Sequence, residues 1–127
     1  MPAISDLQQM LAGMEPVLWP APYGFAVTDR PVADIFATVA EDEGRTVIAP
    51  VAALVAAGVA TGPEFARISL TLHSALEAVG LTAAFARALA DRGISANVIA
   101  GFHHDHIFLP WAQRHAAMEA LRALSHA

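Results

Sequence analysis

The sequence predicts an α+β fold of two similar units in tandem, each an antiparallel sheet with helices on one face. Three observations predict it. A gapless alignment at an offset of 60 residues lays segment 38–50 (TVAEDEGRTVIAP) over segment 98–110 (VIAGFHHDHIFLP). Both segments read strand, turn, strand, proline, helix, the mark of an internal repeat. The second is preceded by an alternating strand and a long amphipathic helix, so its order is βαββα, one strand short of the ferredoxin-like βαββαβ unit. The first replaces that long helix with a Pro-rich stretch, which makes it a degenerate copy. The boundaries fall near residues 1–62 and 63–127.

Each element follows from local pattern. Leu7, Met10, Leu11 and Met14 recur at helical spacing behind Ser5, so residues 4–13 read as a short amphipathic helix. Pro16, Pro20, Pro22 and Gly24 then forbid helix, and segments 17–19 and 23–28 read as short extended pieces with prolines suited to edges. Residues 29–35 read as a loop. Segment 36–41, a turn at Asp42, Glu43, Gly44 and Arg45, and segment 46–49 make a hairpin, after which Pro50 suits the first turn of a helix ending near Gly58.

Segment 65–72 alternates, with Ala66, Ile68, Leu70 and Leu72 on the side expected to be buried. Leu81, Ala84, Phe85, Ala88 and Leu89 form one stripe of a helix that Gly93 ends. Segment 97–102 is β-prone, His103, His104 and Asp105 can turn, and segment 106–109 returns to another proline. The last helix runs from Trp111 to about Leu124 and buries Ala117, Met118, Leu121 and Leu124. Because the chain stops soon after it, the second unit lacks its fourth strand. An N-terminal segment, 16–19 or 23–28, is expected to fill that edge and intertwine the units.

Composition narrows function by exclusion. With no cysteine among 127 residues, disulfides, zinc-thiolate sites and a cysteine nucleophile are ruled out. Twelve acidic residues against seven basic ones, all seven of them Arg, leave a net charge of −5, which argues against nucleic acid as a partner. The longest apolar run, 47–60, holds Pro50 and Gly58 and is shorter than the roughly 20 residues of a membrane span. No basic, apolar signal-like segment opens the chain, so a cytoplasmic location is expected. No nucleophile elbow, phosphate loop, dinucleotide fingerprint or H-E-x-x-H motif occurs, and the adjacent His73 and Ser74 would project to opposite faces of a strand, so no enzymatic role and no cofactor are expected.

Residues 73–110 read HSALEAVGLTAAFARALADRGISANVIAGFHHDHIFLP. With the weaker Glu15-Pro16-Val17-Leu18 and the hairpin 41–50, this stretch closely resembles bacterial proteins that carry two tandem ACT modules and have no assigned activity. The resemblance implies a regulatory or sensory module, usually for amino acids. It also implies a ligand at the turn Ala78, Val79, Gly80, Leu81 and Thr82, facing Asn97 and Val98 of a neighbouring module across an interface. The chemistry of that turn suits a carboxylate, since a helix N-terminus offers free amides and Gly80 allows close approach. Asn97 could both donate and accept. The plain alternative is that Gly80 permits a tight strand-to-helix connection and Asn97 caps a strand. A homodimer is the next expected level of association.

Three further groups carry competing readings. His104 and His106 lie two apart, so on an extended strand both point one way while His103 and Asp105 point the other. With His73 as third ligand they could hold a divalent metal, although a structural or interface role suits them as well. Glu41, Asp42 and Glu43 read as a solvated acidic turn. Trp19 and Trp111 read as core or interface anchors.

Overall fold

The chain is described from a computed structural model, in which residues 7–71 and 79–125 are placed. Helix α1 (Leu7–Ala12) leads into strands β1 (Glu15–Leu18) and β2 (Tyr23–Val27). The hairpin β3 (Ala37–Glu41) and β4 (Gly44–Pro50) is followed by α2 (Val51–Ala56) and β5 (Phe65–Thr71). Helix α3 (Leu81–Ala90), the hairpin β6 (Asn97–Ala100) and β7 (His104–Pro110), and α4 (Arg114–Ser125) complete the chain, a single 3₁₀ turn at Trp111–Gln113 joining the last two. The seven strands of the described residues form one sheet in the order β3-β4-β2-β5-β7-β6, with β1 on β5.

The repeat holds at the level of register. Ala40 opposes Arg45 and Thr38 opposes Val47 in the first hairpin, while Ala100 opposes Asp105 and Val98 opposes Ile107 in the second. Pro50 and Pro110 both stand just before a helical turn, at φ −55° and −53°, and they oppose Tyr23 and Phe65 respectively. Both prolines end strands and precede the helical residues, so they close the strand where a first helical turn was expected.

The N-terminal segment supplies the missing strand. Glu15, Pro16, Val17 and Leu18 pair antiparallel with Thr71, Leu70, Ser69 and Ile68. The order β1-β5-β7-β6 is thus a four-stranded ferredoxin-like sheet whose outer strand comes from the start of the chain. Beyond Leu18 only the Trp19 amide still pairs, with the Arg67 carbonyl, before the chain bows away through Pro20 and Pro22 and touches β5 again at the single pair Tyr23 and Phe65. Proline has no N–H to give a ladder, and here it lets one edge of β5 serve two strands.

The faces divide cleanly. Ala66, Ile68 and Leu70, all fully buried, point with Ile107 and Leu109 toward α3 and α4, where Leu81, Phe85, Leu89, Ala117 and Leu121 meet them. Met10 and Met14 complete this cluster, so α1 belongs to the same core. On the same face of the sheet, α2 lays Leu54 over Val47 and Ala49. Gly24 permits that approach, because a Cβ there would stand 2.9 Å from Leu54 Cδ1.

The helix-free face is concave and aromatic. Phe36, just before β3, lies four strand spacings from β7 along the sheet, about 19 Å if it were flat at the usual ~4.8 Å spacing. Its ring is instead 5.3 Å from that of Phe108. The sheet therefore curls, and Tyr23, Phe25, Ile48 and Phe65 gather with these two in a second core.

One turn falls elsewhere than its residue types suggested. The β6–β7 hairpin turns at Phe102 and His103, closed by the Gly101 amide on the His104 carbonyl at 2.8 Å, and His104 and Asp105 already belong to β7. His and Asp suit turns, but a shift in register would have taken Ile107 and Leu109 off the buried face, and burial decides. No helix among the described residues is long and apolar enough to cross a membrane.

Candidate functional site

The turn before α3 is made by a left-handed glycine. Gly80 is left-handed, at φ 93° and ψ −18°, and caps α3 without any side-chain hydrogen bond. Its carbonyl accepts from the Ala84 amide, which starts the helical ladder and leaves the amides of the first turn without helical acceptors. Val79 is 89% exposed, Thr82 is exposed, and Leu81 anchors the turn in the core. Leu7 of α1 lies beside Gly80, its Cδ2 3.7 Å from where a Cβ would stand. Ala78 and His73 lie outside the described residues.

Asn97 and Val98 stand away from the end of β5. Asn97 opposes Phe108, which opposes Arg67, whereas the chain leaves β5 beyond Thr71, four residues farther along the strand. At ~3.3 Å per residue the separation along the sheet is about 13 Å. Val98 points into the helix-side core. Asn97 faces the concave side and donates from Nδ2 to the Phe108 carbonyl at 3.2 Å, which leaves Oδ1 as its acceptor. Strand β6 is an edge of the sheet, so these residues border whatever lies beside the chain.

The histidines share a face as their spacing predicts, with ring centroids 6.5 Å apart for His104 and His106. His106 Nδ1 is 2.7 Å from Ser69 Oγ, which in turn accepts from Trp19 Nε1 at 2.8 Å, and the Phe36 ring meets the imidazole edge-on at 4.8 Å. Among the described residues no three of His, Asp or Glu come together as metal ligands.

A neighbouring feature gave no motif-level signal. Arg67, on the concave face of β5, has its guanidinium carbon 3.9 Å from the centre of the Trp19 ring and 4.2 Å from that of Phe36, and its Nη1 donates to Tyr23 Oη at 3.0 Å. The partners lie 48, 31 and 44 positions away, so only the curl of the sheet brings them together. The one hint in the sequence is an Arg alternating with Phe65, Ser69 and Thr71 on a strand whose other face is wholly apolar.

Burial sets the titration of this region. Desolvation first, then the charge of Arg67 and then His104, lowers the His106 pKa to about 4. The unfolded chain has its imidazole near 6.5. Between these values the unfolded chain takes up a proton that the folded chain refuses, so stability falls as pH drops from about 6.5 to about 4. Asp105 has the opposite sign: burial raises its pKa above 3.8, and stability declines as pH rises through its folded value. The expected result is a lower urea midpoint at about pH 5 than at about pH 7, with a smaller gap in His106→Gln. An unchanged gap in that variant would assign the effect to other groups.

Comparison with known proteins follows the two halves of the chain. Family models of the ACT domain match residues 2–65 and residues 64–123. A solved structure from Vibrio cholerae, of a protein of unknown function described as a possible transport protein, is 41% identical. The match covers 97% of this chain and 98% of that one, with a TM-score of 0.83. A protein from Agrobacterium tumefaciens is 13% identical over 88% of this chain and 89% of its own, with a TM-score of 0.72. The ligand-free regulatory subunit of aspartate kinase from Thermus thermophilus is 13% identical over 86% of this chain and 95% of its own, with a TM-score of 0.63. At such identities the last two are alike in fold alone. Among curated proteins none matches.

Proposed function

We propose that this chain, which belongs to the ACT-domain family, is a non-catalytic regulatory protein that binds a small molecule, an amino acid or a related carboxylate. The observation that carries the reading is the uncapped, left-handed Gly80 turn at the head of α3. Residues 78–82 would hold the carboxylate on backbone amides, since an anion is favoured at the positive end of the helix dipole. Asn97 and Val98 would come from a second copy across the β6 edge, where they border whatever lies beside the chain, and Asn97 Oδ1 would accept from an ammonium group. Regulation by an aspartate kinase subunit of the same fold supports the class of role, and the output would pass to a separate partner or through a change of assembly.

A thermal-shift screen of the common amino acids and small carboxylates tests it. A ligand at 100 times its Kd should stabilise by about 2.7 kcal/mol. The site is best probed with Gly80→Asn, since Asn tolerates positive φ better than other residues do while its side chain would compete for the amides. That variant and Asn97→Ala should each remove the shift. No ligand, or a hit indifferent to both changes, would leave the turn as a plain strand-to-helix connection.

A further inference from the structure

We propose that Arg67, clamped between Trp19 and Phe36 on the concave face of the sheet, is the anchor of a second ligand site, one that takes a carboxylate carried on a small apolar body. The charge argument comes first. A guanidinium is permanently ionised. Among the described residues Arg67 has no carboxylate within ion-pair distance, the ion pair of those residues being Arg92 with Glu119. Its partners are instead three aromatic rings and a neutral hydroxyl: Trp19 at 3.9 Å, Phe36 at 4.2 Å, Tyr23 at 5.5 Å, and Tyr23 Oη. Its Nε is buried and has no hydrogen-bond partner. A cation held this way, with no carboxylate of the described residues beside it, favours an anion at its guanidinium.

The hydrogen-bond inventory around it points the same way. Trp19 Nε1 can only donate, and it donates to Ser69 Oγ. The arrangement that satisfies both ends has the Ser69 hydroxyl donating to His106 Nδ1, which leaves the imidazole proton on Nε2. Tyr23 Oη accepts from Arg67, so its own proton remains to be donated. Arg67 and Tyr23 therefore present donors on the concave face, and no carboxylate side chain of the described residues pairs with Arg67 there. A surplus of donors is the signature of an acceptor-only ligand, and a planar guanidinium end fits a carboxylate in bidentate fashion. The walls define the rest of the ligand. Trp19 remains 38% exposed and Phe36 is half-buried, so aromatic surface borders the charge and would cover an apolar body.

The site is distinct from the Gly80 turn, which lies on the helix-bearing side, and neither proposal depends on the other. Benzoate, with neutral benzyl alcohol as control at fixed ionic strength, is the probe, titrated into the whole ¹⁵N-labelled protein. The expected result is a saturable shift of the Trp19 indole N–H, with nuclear Overhauser contacts from the benzoate ring to Trp19 and Phe36. Benzyl alcohol should give no such curve, and Arg67→Met should weaken benzoate at least tenfold. Shifts at the Gly80 and Leu81 amides would report the other site on their own isotherm. A linear drift at Trp19, equal response to benzyl alcohol, or undiminished binding in Arg67→Met would overturn the proposal. So would tighter displacement by inorganic phosphate, which would make the site one for phosphate. If Arg67→Met fails to fold, the contacts in the unsubstituted protein decide, and their absence overturns the assignment.

Discussion

Residues 63–127 expressed alone are expected to give an aggregating or molten species without a cooperative unfolding transition. That fragment loses α1 and β1, although both belong to the core that it would have to form by itself. Met10 and Met14, 8% and 2% exposed, and Leu18 pack against residues of β5, β7, α3 and α4. At about 1.5–3 kcal/mol for each buried side chain, the two methionines alone account for about 3–6 kcal/mol, comparable with the whole stability of a small domain. It also bares the β5 edge from Ile68 to Thr71, which now pairs with β1 and would otherwise be a template for association. Sedimentation and urea titration of the fragment check this. A monomer with a single sharp transition would show that the N-terminal strand is an accessory.

Phe108→Ala is expected to cost about 3–5 kcal/mol and to loosen the N-terminal strands before the C-terminal ones. Phe108 is fully buried, and its ring lies 5.6 Å from that of Tyr23, 5.7 Å from Phe25 and 5.3 Å from Phe36. It is thus the side chain of β7 on which the first half of the chain closes. Backbone pairing between β2 and β5 amounts to one residue pair, so the curl is held by side chains, Phe108 at their centre with Arg67 and His106 beside it. Amide exchange in Phe108→Ala should accelerate in β2, β3 and β4 while β5 and β7 stay protected. Phe85→Ala, a cavity of similar size on the helix side, should not single out those strands. A loss under about 1 kcal/mol, or uniform acceleration, would mean that the aromatic face is not the clasp.

Much of this architecture was legible in the residues, because periodicity reports burial directly. The alternation of β5 named Ala66, Ile68 and Leu70 as a buried row, and all three are fully buried. The stripe Leu81, Phe85 and Leu89 is the buried face of α3. The gapless offset between the two hairpins survives as identical register, since a one-residue slip would have turned each apolar set to the wrong side. The turn at Phe102 and His103 is not legible for the same reason in reverse: polar residue types are a local signal, while register is set by the partner strand.

The sequence by itself determined the fold class, the repeat, the order of elements and the need for a strand from elsewhere in the chain. These depend on spacing along the backbone, which fixes which side chains can share a face. Only the tertiary structure decided that β1 and β2 divide a single edge of β5 and that the sheet curls. Only the structure placed Trp19, Tyr23 and Phe36 around Arg67. It likewise set Asn97 level with Arg67 and away from the end where the chain leaves β5 for the Gly80 turn. The physical reason is that curvature is a property of how two faces pack: a flat and a curled sheet share one alternation, and the aromatic core that selects the curl is assembled from residues dozens of positions apart.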